Sequence, residues 1–260
     1  MKVSSIYERY EKVIFFDTET TGFDPEKDQI IELAAVVTGF GMGPIEYDKF
    51  VQLEHVKELP EKITDLTGIT PLHLASGITE RQMTQDFSEF CRPRNPGGTL
   101  LVAHNAQFDL SFMGKTMVRH MKEDDTKVVQ PFTNADYLDT LTVYKDRAGF
   151  PHKLKDAITH YGLDGQVQNT HRAIDDAKAL WAVFDAMAAE RDDLADYINL
   201  FGYNEKYGIS GPKFKKVTYA AQGYQFSMAD ANKTFPIRIG KVKHRNQEPE
   251  GGDADATHSK

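Results

Sequence analysis

The chain has 260 residues, 40% apolar and 27% charged, with a net charge of −8 and a single cysteine, Cys91. This is enough chain for one sizeable α/β domain with an appendage. It excludes an internal disulfide framework and argues against a thiolate metal site, and no apolar run approaches the ~18 residues needed to span a bilayer.

Taken in chain order, Met1 to Lys12 is polar and charged, unlike a secretory signal, and a reducing cytoplasm is the expected location. Val13–Phe16 reads as a short strand ending at Asp17, followed by a break at Thr20–Pro25 with Gly and Pro as turn signals. Ile30–Val37 is apolar almost throughout, as in a strand buried on both faces. Ile45–Leu53 reads as a third strand, so the three runs predict an antiparallel meander.

Thr70-Pro71 predicts a helix cap, and Thr79–Cys91 a helix stopped by Pro93 and Pro96. Thr99–Ala103 reads as a fourth strand, and Asn105 as the N-cap of a helix reaching about His120. Residues 122–127 read as loop and Phe132–Tyr137 as a fifth strand. Asp139–Tyr144 and Lys153–Tyr161 are expected helices, the second closed by Gly162. Ile174–Glu190 has the clearest amphipathic pattern, with Ile174, Ala177, Leu180, Trp181, Phe184 and Met187 recurring at helical spacing. Strands first, then strands alternating with helices, predict a mixed sheet with helices packed on it.

Three segments concentrate chemistry. In FDTETTG, Asp17 and Glu19 are two apart on an extended chain and point the same way. Paired anions resist ionising together, and a hard divalent cation such as Mg²⁺ or Mn²⁺ removes that penalty. The alternative is a turn carrying two solvated acids. In HNAQFD, a buried strand runs into a helix whose first turn carries Asp109, a place where an acid also meets the helix dipole. In HRAIDDA, Asp175 and Asp176 share a first helical turn behind His171, and only one can face the sheet, because neighbours diverge by ~100°. Asp176 flanks the apolar face.

Order, spacing and context together resemble the DnaQ-like exonucleases with the DEDDh signature, in the ribonuclease H-like superfamily. This group includes proofreading exonucleases of the polymerase III epsilon type. The resemblance covers about residues 11–190, including the connecting region Leu66–Thr70. It implies an α/β, ribonuclease H-like fold with a five-stranded mixed sheet flanked by helices. It further implies Asp17, Glu19, Asp109 and Asp176 as ligands of two divalent cations, ~4 Å apart in such sites, and His171 as general base. The implied reaction is 3′–5′ hydrolysis of the terminal phosphodiester of single-stranded or frayed DNA, in proofreading or repair. Thr21, His104 and Asn105 are candidate contacts to sugar or phosphate, and Phe108 a candidate stacking partner for a base, with simple core packing as its rival.

Charge divides the chain. Residues 1–200 carry 21 Lys and Arg against 33 Asp and Glu, whereas residues 201–246 carry nine against Glu205 and Asp230. The expected organisation is an exonuclease domain over 1–195, a basic Gly- and Pro-containing extension over 196–246 and a disordered tail over 247–260. The extension is open to two readings, following a nucleic-acid strand or docking on a DNA polymerase or another replication protein. An exoribonuclease trimming RNA 3′ ends, and a non-catalytic nucleic-acid or replisome binding module, remain the competing functions.

Overall fold

The computed structural model of the chain describes residues 5–39, 41–94, 98–120, 126–222, 237 and 238. A short helix α1 (Ser5–Arg9) leads into the meander β1 (Lys12–Thr20), β2 (Ile30–Gly39) and β3 (Met42–Phe50). Helices α2 (Glu61–Thr67), α3 (Pro71–Ala75) and α4 (Glu80–Cys91) precede β4 (Thr99–Ala103) and α5 (Ala106–His120). Then come α6 (Thr126–Asn134), β5 (Asp136–Asp139), α7 (Thr140–Arg147), α8 (Leu154–His160) and α9 (Ala173–Glu190). The five strands form one mixed sheet in the order β3-β2-β1-β4-β5, with β1–β2 and β2–β3 antiparallel and β1–β4 and β4–β5 parallel.

The central strand shows why the sheet is buried on both sides. Successive side chains of a strand face opposite ways. Val13 and Phe15 enter one apolar cluster with Leu180, Val183 and Phe184 of α9, while Ile14 and Phe16 enter another with Phe87 of α4 and Leu110 and Phe112 of α5. β4 divides likewise, Leu100 and Val102 to the first cluster, Leu101 and Ala103 to the second. The sheet is therefore a layer between α9 and the α4–α5 pair. Among the described residues no helix is long and apolar enough to cross a membrane.

Several boundaries differ from the sequence reading. β1 runs past Asp17 to Thr20, because β2 keeps pairing with it through Glu19↔Glu32. β3 begins and ends three residues earlier than expected, at Met42 and Phe50. The helix α2, which the sequence reading left unassigned, ends at Gly68 in the left-handed region (φ 69°). The expected fifth strand at Phe132–Tyr137 is half helix: α6 continues to Asn134, and the strand occupies Asp136–Asp139. Phe132 joins the α4–α5 cluster from that helix, so burial rather than β propensity decides its conformation.

Beyond α9, a 3-10 turn (Leu194–Tyr197) leads to β6 (Leu200–Asn204), which pairs in parallel with β7 (Thr218–Gln222), itself antiparallel to β8 (Ile237–Arg238). Gly202 lies inside β6, where a Cβ would sit 2.1 Å from the Gln222 amide oxygen. The extension is packed onto the body: Leu200 and Ala220 enter the α9 cluster, and Phe201 and Val217 the α4–α5 cluster. The tail expected over 247–260 lies outside the described residues.

Candidate active site

The site lies where β1 and β4 part. Their parallel pairing ends at Phe15↔Val102, so β1 continues alone on that edge for the length of Asp17–Thr20. Crevices beyond the carboxyl ends of strands, where a sheet's chain direction switches, are the usual ligand positions in α/β folds.

Asp17 and Glu19 continue the parity of Val13 and Phe15 and so face α9, which brings Asp176 in its first turn. Thr18 faces the other way. Its backbone N–H, without a β4 partner, and its hydroxyl both donate to Asp109 Oδ1, at 3.1 and 2.7 Å. Asp109 is thereby pulled from α5 across the open edge of β1. Asp176 Oδ1 accepts from the Asn169 amide at 2.7 Å, and Asp175 turns away to accept from the Thr170 hydroxyl at 2.6 Å. Of the two neighbouring aspartates, then, Asp176 is the buried one that faces Glu19. Glu19, His171 and Asp176 each present one ligand atom within 4.8 Å of the others. His171 is exposed and held in the left-handed region at φ 58°.

The electrostatics report the crowding. Burial, then repulsion from Asp109, Asp176 and Glu19, pushes the Asp17 carboxyl well above the ordinary range. Glu19 rises to about 8 through burial and its repulsion from Asp176, Glu32 and Asp109. Burial raises Asp109 to about 7 against the opposing hydrogen bonds from Thr18, and raises Asp176 to about 6 against that from Asn169. Four acids held above their ordinary range by burial and by neighbouring carboxylates are arranged to meet positive charge.

The expected substrate contacts fall in different settings. Thr21 is buried, its hydroxyl donating to Asp28 Oδ1 and accepting from the Gln29 N–H, both at 3.1 Å, so it knits the turn after β1. His104 has both ring nitrogens engaged within the protein, with the Thr140 hydroxyl at 3.0 Å and the His152 carbonyl at 2.9 Å, and burial lowers its pKa. Asn105 is exposed, but at φ 70° it is not an ordinary N-cap. The Asp139 carboxylate takes that part, accepting from the N–H groups of Asn105 and Ala106 at 2.9 and 3.1 Å. Phe108 is half-buried and meets Phe23 edge-on at 6.5 Å.

Two important residues escaped the sequence reading. Glu32, fully buried, accepts from Arg172 Nε and a terminal guanidinium nitrogen at 3.0 and 2.6 Å, and from the Ala173 N–H at 3.0 Å. Arg172, next to His171, also lies over the Phe50 ring at 5.0 Å. The available signal was one charged residue inside the apolar run Ile30–Val37. A second group of possible ligands, Glu54, Glu80 and His120, lies apart, and there Arg119 neutralises Glu80 at 2.7 Å.

A five-stranded mixed sheet with four converging acids at the end of its central strand defines a nuclease of the ribonuclease H-like class. The chain belongs to the DnaQ-like 3′–5′ exonuclease family: residues 14–184 match the exonuclease family model RNase_T. It is 32% identical over 207 residues to the PolC-type DNA polymerase III of Clostridium perfringens, covering 80% of this chain and 13% of that protein. The PolC-type DNA polymerase III of Streptococcus pneumoniae is likewise 32% identical, over 72% of this chain. The chain thus spans only 13% and 12% of the length of these two relatives. Among solved structures, E. coli Exonuclease I in complex with a dA16 oligonucleotide superposes with a TM-score of 0.59 at 22% identity, over 72% of this chain and 42% of that one. Cell-death related nuclease 4 gives 0.55 at 15% identity, over 70% and 65%. At these identities the structural likeness concerns the fold.

Proposed function

We propose that the chain removes nucleotides from the 3′ end of single-stranded or frayed DNA, in proofreading or repair. The observation that carries this reading is the meeting of Glu19, His171 and Asp176 within 4.8 Å, beside an Asp17 repelled by Asp109, Asp176 and Glu19. DNA is favoured because the PolC-type relatives are named DNA polymerases and Exonuclease I is recorded with a DNA oligonucleotide. A replicative polymerase is the partner class that those relatives suggest. Residues 1–195 would form the catalytic body and 196–246 an accessory extension.

The residues fit divalent cations. Asp17, Glu19, Asp109 and Asp176 supply oxygen donors only, which suits Mg²⁺ or Mn²⁺, and bound cations would offset the burial and neighbouring negative charge that raise their pKa values. When bound, two such ions supply an activated water and charge stabilisation at the leaving 3′-oxygen. Thr18 aims Asp109 at the site, and Asn169 aims Asp176. A ring nitrogen of His171 takes the proton of the attacking water, and its exposure lets that proton pass to solvent. Thr21 and His104 act on the strand through the turn and loop they brace, while Asn105 and Phe108 touch it.

A degradation series tests this. The substrates are 5′-labelled single-stranded DNA, mismatched duplex and RNA, each with Mg²⁺, Mn²⁺ or chelator. The expected result is metal-dependent shortening of the DNA from its 3′ end, abolished by Asp17→Asn with the melting temperature retained. Shortening from the 5′ end, or undiminished cleavage by the variant, contradicts the proposal.

A further inference from the structure

We infer that residues 200–222 form the second wall of a channel that binds the single strand on the 5′ side of the scissile phosphate. This rests on the exonuclease reading above but concerns a segment beyond the family match, which ends at residue 184.

The wall is latched to the site by one side chain. Gln107 lies on α5 two residues before Asp109. Its amide nitrogen donates to the Pro212 carbonyl at 2.6 Å, and its oxygen accepts from the Tyr219 hydroxyl at 2.8 Å. That hydroxyl in turn accepts from the Phe214 N–H at 3.1 Å. Just before the first latch point Gly211 passes close to α5 at φ 76°, where a Cβ would stand 3.2 Å from the Ser111 hydroxyl. Segment and helix are therefore held at a defined spacing, since both ends of one amide are engaged.

That spacing leaves two adjoining clefts that share Asn105, Gln107 and Ser210. The first, about 290 Å³, lies between the Phe23–Phe108 pair and Ser210–Gly211. The second, about 180 Å³, lies between Leu141 and the segment's Tyr203 and Tyr219. Phe108, which lines the first cleft, directly precedes the catalytic candidate Asp109 on α5, and Phe23 and Asp24 line it from the turn after β1.

The clefts present rings to flat bases, with Asp24, Asp139 and Lys145 among their polar lining. Phe23 is 83% exposed, and bases of any sequence stack on such rings. Lys206, Lys213 and Lys215 stand exposed on the same segment. They set local positive charge on a body in which acids outnumber bases, and this offsets the repulsion a phosphate chain meets on approach.

The test uses the full chain and 5′-fluorescein-labelled oligothymidylates of three and twelve residues, with Ca²⁺ as the divalent ion and anisotropy as the readout. In the wild type, affinity rises at least tenfold from trimer to dodecamer. In the double variant K213E/K215E that gain falls below threefold, and the salt slope for the dodecamer drops by about 1.4, two phosphate contacts at ~0.7 each. The K213R/K215R pair restores both. An undiminished gain and slope in K213E/K215E, or no length-dependent gain in the wild type, overturns the inference and leaves the segment to packing or to a protein partner. A wild type that binds as expected but hydrolyses nothing with Mg²⁺ or Mn²⁺ leaves the channel standing and removes the exonuclease reading instead.

Discussion

Glu32 lies directly opposite Glu19 in the β1–β2 ladder, yet the two acids have opposite surroundings: Arg172 grips Glu32 with two nitrogens, while Glu19 faces Asp176 and His171. Cross-strand partners share a face of the sheet. The Glu32 carboxylate thus ties the start of α9 to the strand that carries the acids, and His171 is the residue next to that tie.

Removing the tie has a predicted cost. Glu32→Gln leaves Arg172 without its carboxylate and destabilises the fold by about 3 kcal/mol, the lower end of what breaking a buried pair costs, since Arg172 is partly exposed. Urea unfolding measures it. Turnover falls as well, because His171 loses its anchored neighbour. A variant as stable and as active as the wild type would show that the pair holds nothing.

Thr18→Val keeps the shape of β1 but deletes the hydroxyl that donates to Asp109 at 2.7 Å. The Asp109 carboxyl, already raised to about 7, rises further, because a hydrogen bond that favours its charged form is gone. Metal affinity or activity is expected to fall about 10- to 100-fold, as for other residues that orient metal ligands. Calorimetric titration with Mn²⁺ reads the affinity, and an unchanged value counts against the role given to Thr18.

His171→Ala removes the proposed base without disturbing the packed core, since His171 is exposed. The rate of hydrolysis is predicted to fall about 10²- to 10⁴-fold, with Mn²⁺ affinity reduced far less than by Asp17→Asn. Single-turnover cleavage gives the rate. Retention of the full rate transfers the proton to another group.

Stability against pH has a definite sign in the metal-free protein. The folded-state values of Glu19, Asp109 and Asp176, about 8, 7 and 6, lie above their ordinary values of 4.5, 3.8 and 3.8. Between the two sets the folded chain binds more protons than the unfolded one, so the site costs stability as pH rises from about 4 to about 8, and no more beyond that. In chelator, the melting temperature of the wild type is expected to drop relative to Asp17→Asn across this window, and Mg²⁺ to restore it more at pH 8 than at pH 5. A wild type that gains on the variant as pH rises would show that the folded site does not hold these carboxyls toward the neutral form.

The four acids were candidates in the sequence because each sits at the end of an apolar strand or in a first helical turn, and it was the family resemblance that joined them into one site. Asp175 and Asp176 could be separated only in part, since helical phase argues for one of them but the bonds to Thr170 and Asn169 settle which turns away. His104 looked suited to a substrate contact because its partners, Thr140 and His152, lie 36 and 48 residues off. Asn105 looked like a cap because the Asp139 carboxylate comes from another strand end.

Periodicity and turn residues along the chain were thus enough to expect a mixed α/β sheet, and the resemblance carried by the three motifs added the family. Folding alone revealed the Glu32–Arg172 tie, the pull of Thr18 on Asp109 and the latch of Gln107 on residues 212–219. The physical reason is distance along the chain. Side-chain alternation and helical phase are local and repeat within a few residues, whereas these three contacts join groups 140, 91 and at least 105 residues apart, and which partner each finds depends on where strands end and which faces pack.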